Sequence, residues 1–396
     1  MKREYLPVGS SDRVHEIDAI RGFALLGILM MNIMSFAGPQ MENQLTFDTS
    51  EIYTGSNSII ILLINIFVTA NFYTMFSFLF GLGFYIFLSR AENRTHQVNR
   101  LFVRRMSILL IIGLLHAIFI WYGDILTVYA VTGIILLLFY RLNPRFNLFI
   151  STMILLLGSV FVILMTMLAL SLPDISAEAT GSSAYGIDMI GAAKGSYWDI
   201  VSLNLSILAL MSVNNIAMTP LILAIFLLGL YAGQKAYHTR LGSLKKELWR
   251  IAAISIGVGL PVKVVTGYTM TYGMGSPTLS ILSMLAYTLG GPLMSLGYIA
   301  LLTLMFLKIQ SFTKLLQPVG QLALTNYIMQ SVLMITLFFG FGLFNEIGAV
   351  WFPLIVAATF AIQVMASHFW VRHFRYGPLE WIWRMSTYGK ILPIKK

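Results

Sequence analysis

Few residues in this chain of 396 can do chemistry, because only 11% of it is charged. The most telling is His116, in GLLHAIFIWYGDIL, which alone among six histidines lies well inside an apolar run. Asp124 closes the same stretch. An imidazole beside a carboxylate pairs a general base with its orienter: the His removes a proton from an incoming hydroxyl or amine, and the Asp fixes the ring. Lys263 lies two-thirds of the way along another apolar run and is the third member of this expected acid–base set. Each has a plainer reading. His116 can hydrogen-bond a neighbouring helix, and Lys263 can snorkel toward lipid headgroups.

Spacing supplies a second pattern. Arg21 and Asn32 are eleven residues apart in DAIRGFALLGILMMN, and Arg105 and His116 repeat that interval. Eleven residues make about three helical turns, so each pair shares one helix face with its members ~16 Å apart. Asp18, Arg21 and Arg105 then suit a mouth that holds an anionic donor, with Asn32 and His116 facing the chemistry three turns further in. The structural alternative is an Arg at a helix end and an interhelical hydrogen bond beyond it. Metal and nucleotide motifs are absent: there is no HExxH and no GxxxxGK[ST]. The chain also has no cysteine, which excludes disulfides, thiolate zinc sites and a thiol nucleophile.

The elements that must position these groups are membrane helices. Hydrophobic residues make up 58% of the chain, far from the ~25% charged residues of an ordinary soluble domain. Several runs reach the ~18–20 residues needed to cross a bilayer. A β-barrel would alternate apolar and polar residues in short segments, and this chain does not. The first apolar run follows about 20 polar residues and lacks a small-x-small cleavage site, so it reads as a retained span rather than a signal peptide. The net charge of +10 is a topology signal rather than a nucleic-acid footprint. Of 26 Lys and Arg, all but Lys194 and Lys263 fall in 1–21, 90–105, 141–145, 235–250, 308–314 and 372–396. The segments between them carry Glu42, Asp48, Glu51, Asp174, Glu178, Asp188 and Asp199.

This alternation predicts an all-α polytopic bundle of about ten spans with both termini cytoplasmic. The expected spans are 20–37, 58–88, 106–122, 125–140, 148–171, 201–233, 251–269, 278–306, 322–344 and 349–371, followed by a cytoplasmic segment at 372–396. Two are too long for one crossing. The first, 58–88, holds Asn65 and Asn71; the second, 201–233, holds Asn204, Asn214, Asn215 and Pro220. Each is expected to begin as a broken or interfacial helix on the outer side and then to cross. Both end alike, in FSFLFGLGFYIF and LAIFLLGLYAG, which fits either a weak internal repeat or glycine-mediated helix packing.

Several stretches together resemble the YeiB family of bacterial membrane proteins of unknown function. They are HEIDAIRGFALLGILMMNI, MFSFLFGLGF, GLLHAIFIWYGDILTVYAVTG, QLALTNYIMQS and GPLEWIWRMSTYG, running from residue 15 to 389. That family is more distantly similar to membrane acyltransferases, the acyltransferase-3 and heparan-glucosaminide acetyltransferase groups. The acyltransferase-3 group resembles Arg-x10-His on its membrane helix, where this chain has Arg21-x10-Asn32. The glucosaminide group resembles Arg-x10-Asn there and takes its His from the segment before span two. Residues 38–89 here contain no His, so inherited catalysis has to run through His116.

The resemblance implies an acyltransferase that moves an acyl group from a cytoplasmic thioester such as acyl-CoA to an acceptor at the outer face. No bound cofactor is expected. His116 and Asp124 would be the catalytic pair, and Arg21, Asn32, Arg105, Lys263 and Asp18 would bind the donor or substrate. The expected partners are membrane lipids and a small-molecule, lipid or glycan acceptor, without nucleic acid; a homodimer stays open. The expected location is the bacterial cytoplasmic membrane. A transporter or lipid-handling protein using the same residues is the alternative. GPLEWIWRMSTYG is expected to form a short amphipathic helix at the inner interface, where it would close the donor side.

Overall fold

In the computed structural model the chain is described over residues 14–39, 55–93, 95–171, 187–272 and 277–396. Glu42, Asp48, Glu51, Asp174, Glu178 and most of the outer segment 172–200 lie outside these residues, as does the Asn214 side chain. The architecture is all-helical, as expected. Eight segments are long and apolar enough to cross a membrane, among them His15–Ala37, Val98–Phe119, Lys245–Tyr272 and Ala349–His373. The other two of the ten expected spans fall in the shorter apolar helices Leu126–Phe139, Tyr197–Ser212 and Met218–Gln234.

In chain order the main helices are α1 (His15–Ala37), α2 (Ser56–Phe67), α3 (Asn71–Glu92), α4 (Val98–Phe119), α5 (Leu126–Leu136), α6 (Pro144–Ser171) and α7 (Met189–Lys194). They continue as α8 (Tyr197–Gln234), α9 (Lys245–Tyr272), α10 (Pro277–Lys308), α11 (Gln310–Gln321), α12 (Ala323–Ile335), α13 (Phe352–His373) and α14 (Pro378–Tyr388). The burial pattern is that of a protein whose solvent is hydrocarbon. Ile111 and Leu115 on α4, Leu157 and Leu164 on α6, and Leu354 and Met365 on α13 point outward. Asn71, Thr74, Ser77 and Lys263 are enclosed. Apolar surface outside and hydrogen-bonded polar groups inside satisfy the backbone and side chains where water is absent.

The expected break in 58–88 is present. Helix α2 stops at Phe67, and α3 restarts at Asn71 after a turn in which Ala70 adopts a left-handed conformation, φ 65°. Thr69, Asn65 and Asn71 satisfy local groups: Thr69 Oγ1 donates to Asn65 Oδ1 at 3.1 Å, and Asn71 Nδ2 donates to the Ile66 carbonyl at 3.2 Å. The expected break in 201–233 is corrected. Helix α8 runs unbroken for 38 residues through Pro220. A proline deletes one backbone donor, which bends a long helix without ending it when neighbours pack on both sides.

The two similar glycine segments meet each other. A Cβ on Gly81 of α3 would collide with the Phe226 carbonyl of α8, and one on Gly229 would collide with the Phe78 carbonyl of α3. Their likeness is that of two surfaces packed at backbone distance, the role small residues play between membrane helices. A second close crossing joins α1 and α11, where Gly22 lies against the Leu316 carbonyl and Gly320 against the Asp18 carbonyl. That crossing sets Arg21 beside the α11–α12 junction.

Candidate active site

His116 stands near the end of α4 and is 1% exposed. Its Nδ1 is 3.0 Å from Asp124 Oδ1, and its Nε2 is 2.9 Å from Ser331 Oγ on α12. Carboxylate, imidazole and hydroxyl therefore form one line. Asp124 precedes α5, and its second oxygen accepts from the Thr127 N–H at 2.7 Å. The carboxylate thus also satisfies an orphan backbone donor at the start of α5. With Asp124 accepting from Nδ1–H, Nε2 carries the lone pair and Ser331 donates to it.

Three local features put these groups in register. The first is Gly113, one turn before His116: a Cβ there would stand 2.8 Å from Thr127 N and 2.9 Å from Asp124 Oδ2. Its missing side chain is the room that lets the start of α5 approach α4. The second is the pattern TNYIMQS on α12, which carries two neighbouring stripes at i, i+4. Asn326 and Gln330 form one stripe and bond Ser367 Oγ at 3.0 Å and Gln363 Oε1 at 2.9 Å, both on α13. Gln330 also donates to the Leu25 carbonyl of α1 at 3.2 Å. This polar glue turns the second stripe, Tyr327 and Ser331, toward His116. The third is Tyr327 itself, whose ring centroid lies 5.3 Å from that of His116. Its hydroxyl accepts from Ile125 N–H at 3.3 Å and donates to the Gly123 carbonyl over a long 3.4 Å.

A cavity of about 250 Å³ lies beside this line; Tyr327 and Ile125 line it, whereas His116, Asp124 and Ser331 do not. Its walls include Phe76, Leu79, Phe80, Phe84, Phe102, Met106 and Leu109, and Tyr327 and Ile125 close its upper end. Arg21, Arg105, Arg384 and Glu380 line it too, at the opposite, basic end. Arg21 Nη1 pairs with Asp18 Oδ1 at 3.0 Å. The Arg105 guanidinium lies 3.6 Å over the Trp383 ring and 5.0 Å from the Phe87 ring, while Trp383 Nε1 donates to the Arg105 carbonyl at 2.8 Å. The sequence GPLEWIWRMSTYG is the helix α14, and it lies across the mouth of this cavity. Glu380 accepts from Leu324 N–H at 2.7 Å, Thr325 N–H at 3.1 Å and Thr325 Oγ1 at 2.6 Å, covering the orphan donors that open α12. Burial pushes its carboxyl above the usual range, and those hydrogen bonds oppose the rise.

The remaining expected site residues are placed as follows. Asn32 is half-buried, one turn beyond the cavity-lining Ile28 on the same stripe of α1. Lys263 is fully enclosed, and its Nζ donates to the Thr69 carbonyl at 2.8 Å. Its hydrogen bond thus goes to the α2–α3 turn and not to the His116 cluster. Ser331, Tyr327, Glu380, Trp383 and Arg384 were not singled out from the sequence as site residues. Two of them sit in QLALTNYIMQS, where only adjacency to His116 in space gives them meaning. Among the described residues no group of three His, Cys, Asp or Glu could hold a metal ion.

The chain is 31% identical to Uncharacterized protein YxaH of Bacillus subtilis (strain 168), over 98% of both proteins. The chain belongs to the YeiB-like family. It is also 31% identical to an uncharacterized 39.9 kDa protein in the amylase 3' region of Bacillus acidopullulyticus, over 98% of this chain and 97% of that one. Uncharacterized protein YeiB of Escherichia coli (strain K12) is 25% identical over 94% and 95%. The family model DUF418, a protein of unknown function, matches residues 232–390, which hold α12, α14 and Ser331. No solved structure matches the chain. In this chain the helical membrane scaffold encloses the hydroxyl–imidazole–carboxylate line of Ser331, His116 and Asp124.

Proposed function

We propose that this YeiB-like protein is a membrane acyltransferase that takes an acyl group from a thioester donor entering at the basic end. The observation that carries the reading is the Asp124–His116–Ser331 line, joined through Ile125 and Tyr327 to an apolar cavity that Arg21, Arg105 and Arg384 also line. Arginines match phosphate geometry and the aromatic walls match an extended apolar arm. The ~16 Å from Arg105 to His116 along α4 separates a phosphate end from a reacting carbonyl. His116 acts as general base, and Asp124 holds its tautomer. In this reading Asn32, one turn beyond the cavity-lining Ile28 on α1, orients the acyl carbonyl.

By the positive-inside rule the basic end faces the cytoplasm, in the bacterial cytoplasmic membrane. A transport pathway would draw on the helix break at Val68–Ala70, but that break is filled by Lys263 rather than left open to a ligand. The test is thiol release from acetyl-, butyryl- and palmitoyl-CoA by the purified protein, with His116→Ala as its control. Release by wild type and its loss in the variant support the reading. Absence of both binding and release for all three donors overturns it.

A further inference from the structure

Most serines and threonines on these membrane helices spend their hydroxyl locally. Ser77 donates to the Tyr73 carbonyl at 2.8 Å, Ser159 to Leu155 at 2.7 Å and Thr303 to Ile299 at 2.7 Å, each four residues back. This back-bond is the default for a helical hydroxyl in a medium without water. Ser331 departs from it. The residue is 2% exposed, and its Oγ lies 2.9 Å from His116 Nε2 across 215 residues of sequence, donating to it when the ring proton is on Nδ1. A structural hydroxyl needs no partner of that kind, whereas a nucleophile needs a base at hydrogen-bond distance and an orienter behind the base. Asp124 completes that set at 3.0 Å on the far side of the ring.

From this geometry we infer that Ser331 is the nucleophile of the site and that the acyl group passes through a covalent acyl-Ser331 ester. The inference rests on the acyl-transfer reading and adds a second half-reaction to it. In the first half, Ser331 Oγ bonds to the acyl carbonyl carbon while its proton passes to His116 Nε2. The carbon–sulfur bond then breaks, and the thiolate takes that proton and leaves as a thiol. In the second half, an acceptor hydroxyl gives its proton to His116 Nε2 and attacks the ester carbonyl. Ser331 Oγ leaves and recovers the proton, so the residue is regenerated and no other reactant is consumed.

The same helix supplies the group that meets the developing charge. Tyr327, one turn before Ser331, lines the cavity; its phenolic hydroxyl accepts from the Ile125 N–H at 3.3 Å and donates only over a long 3.4 Å to the Gly123 carbonyl. That O–H is the donor available to an oxyanion formed at the cavity's upper end. Donor and acceptor then use the site in turn, because only the acyl group remains after the thiol departs.

The test uses the full-length purified protein in detergent, without acceptor. Acetyl-CoA and p-nitrophenyl acetate are the probes, read by peptide mass spectrometry and by release of thiol or p-nitrophenol. Wild type is expected to give a burst of about one equivalent per chain and one acetyl group on the peptide carrying Ser331. His116→Ala and Ser331→Ala should lose both, with steady release of thiol or p-nitrophenol down by about 10⁴-fold or more. Ser331→Cys should keep the adduct as a hydroxylamine-labile thioester, which separates a lost nucleophile from a damaged fold. If transfer depends on His116 but survives Ser331→Ala, or if no acyl peptide forms at Ser331 during turnover, the acyl-enzyme is overturned and direct transfer stands. If neither probe reacts and His116→Ala changes nothing, the acyl-transfer reading falls with it.

Discussion

Replacing Gly113 with alanine tests how the His116–Asp124 pair is built. The added Cβ would stand 2.8 Å from Thr127 N, 2.9 Å from Asp124 Oδ2 and 3.0 Å from Leu126 Cβ. Non-bonded heavy atoms rest at about 3.5 Å or more, so the start of α5 must retreat by roughly 0.5–0.7 Å. Overpacking of this kind costs about 1–3 kcal/mol. The same retreat takes Asp124 Oδ1 from 3.0 Å toward ~3.5 Å from His116 Nδ1, the edge of a hydrogen bond. Misplacement on that scale lowers a positioned reaction by about 10–100-fold. Two measurements check this. Thermal unfolding in detergent should fall, and ring-labelled nitrogen NMR should show His116 leaving the Nδ1–H tautomer that wild type holds. Gly257→Ala is the control, since a Cβ there meets nothing within 4 Å, and helix propensity makes it neutral to ~1 kcal/mol stabilising. Unchanged melting and unchanged His116 ring signals in Gly113→Ala would refute the idea that Gly113 sets the α4–α5 approach.

Three further outcomes are expected. Because burial raises the Glu380 carboxyl above its ordinary 4.5, its protonated form favours the folded protein. That contribution is complete below pH 4.5 and lost as pH rises through the raised value, so Glu380→Gln should flatten the decline in melting temperature just above pH 4.5; an unaltered slope would count against it. Trp383→Ala removes a ring 3.6 Å from the Arg105 guanidinium and a 2.8 Å bond to the Arg105 carbonyl. It should weaken docking of α14 by about 2 kcal/mol, read as faster proteolysis after Phe374, and unchanged cleavage would argue that α14 is held elsewhere. Gly229→Leu drives a side chain into the Phe78 carbonyl and should abolish a monodisperse product on gel filtration, whereas a well-behaved variant would show that α3 and α8 can separate.

The membrane scaffold was legible because composition and hydrophobic run length are local properties, and so was the break at Val68–Ala70, where polar residues interrupt a run too long for one crossing. His116 and Asp124 were legible as a pair because eight residues and a tight turn join them. Ser331 was not, since 215 residues separate it from His116 and a serine in an apolar helix usually bonds its own backbone. Lys263 was misleading for a related reason. A buried ammonium attracts attention by its cost, yet its partner here is a backbone carbonyl freed by the α2–α3 turn, which the sequence does not advertise. Pro220 misled in the other direction, because tertiary packing carries α8 through a residue that would end an unsupported helix.

Helix α14 lies across the mouth and supplies Glu380, Trp383 and Arg384 to a cavity whose other walls come largely from residues 21–129 and the α11–α12 junction. It follows all the membrane helices in the chain, so on the ribosome it emerges after every one of them. Until then the first donors of α12 lack the carboxylate that later caps them, and the Arg105 guanidinium lacks the Trp383 ring. The mouth of the cavity is therefore completed last: a chain that has not yet made α14 holds the apolar walls and the Asp124–His116–Ser331 line, and it gains the closing helix only when α14 docks.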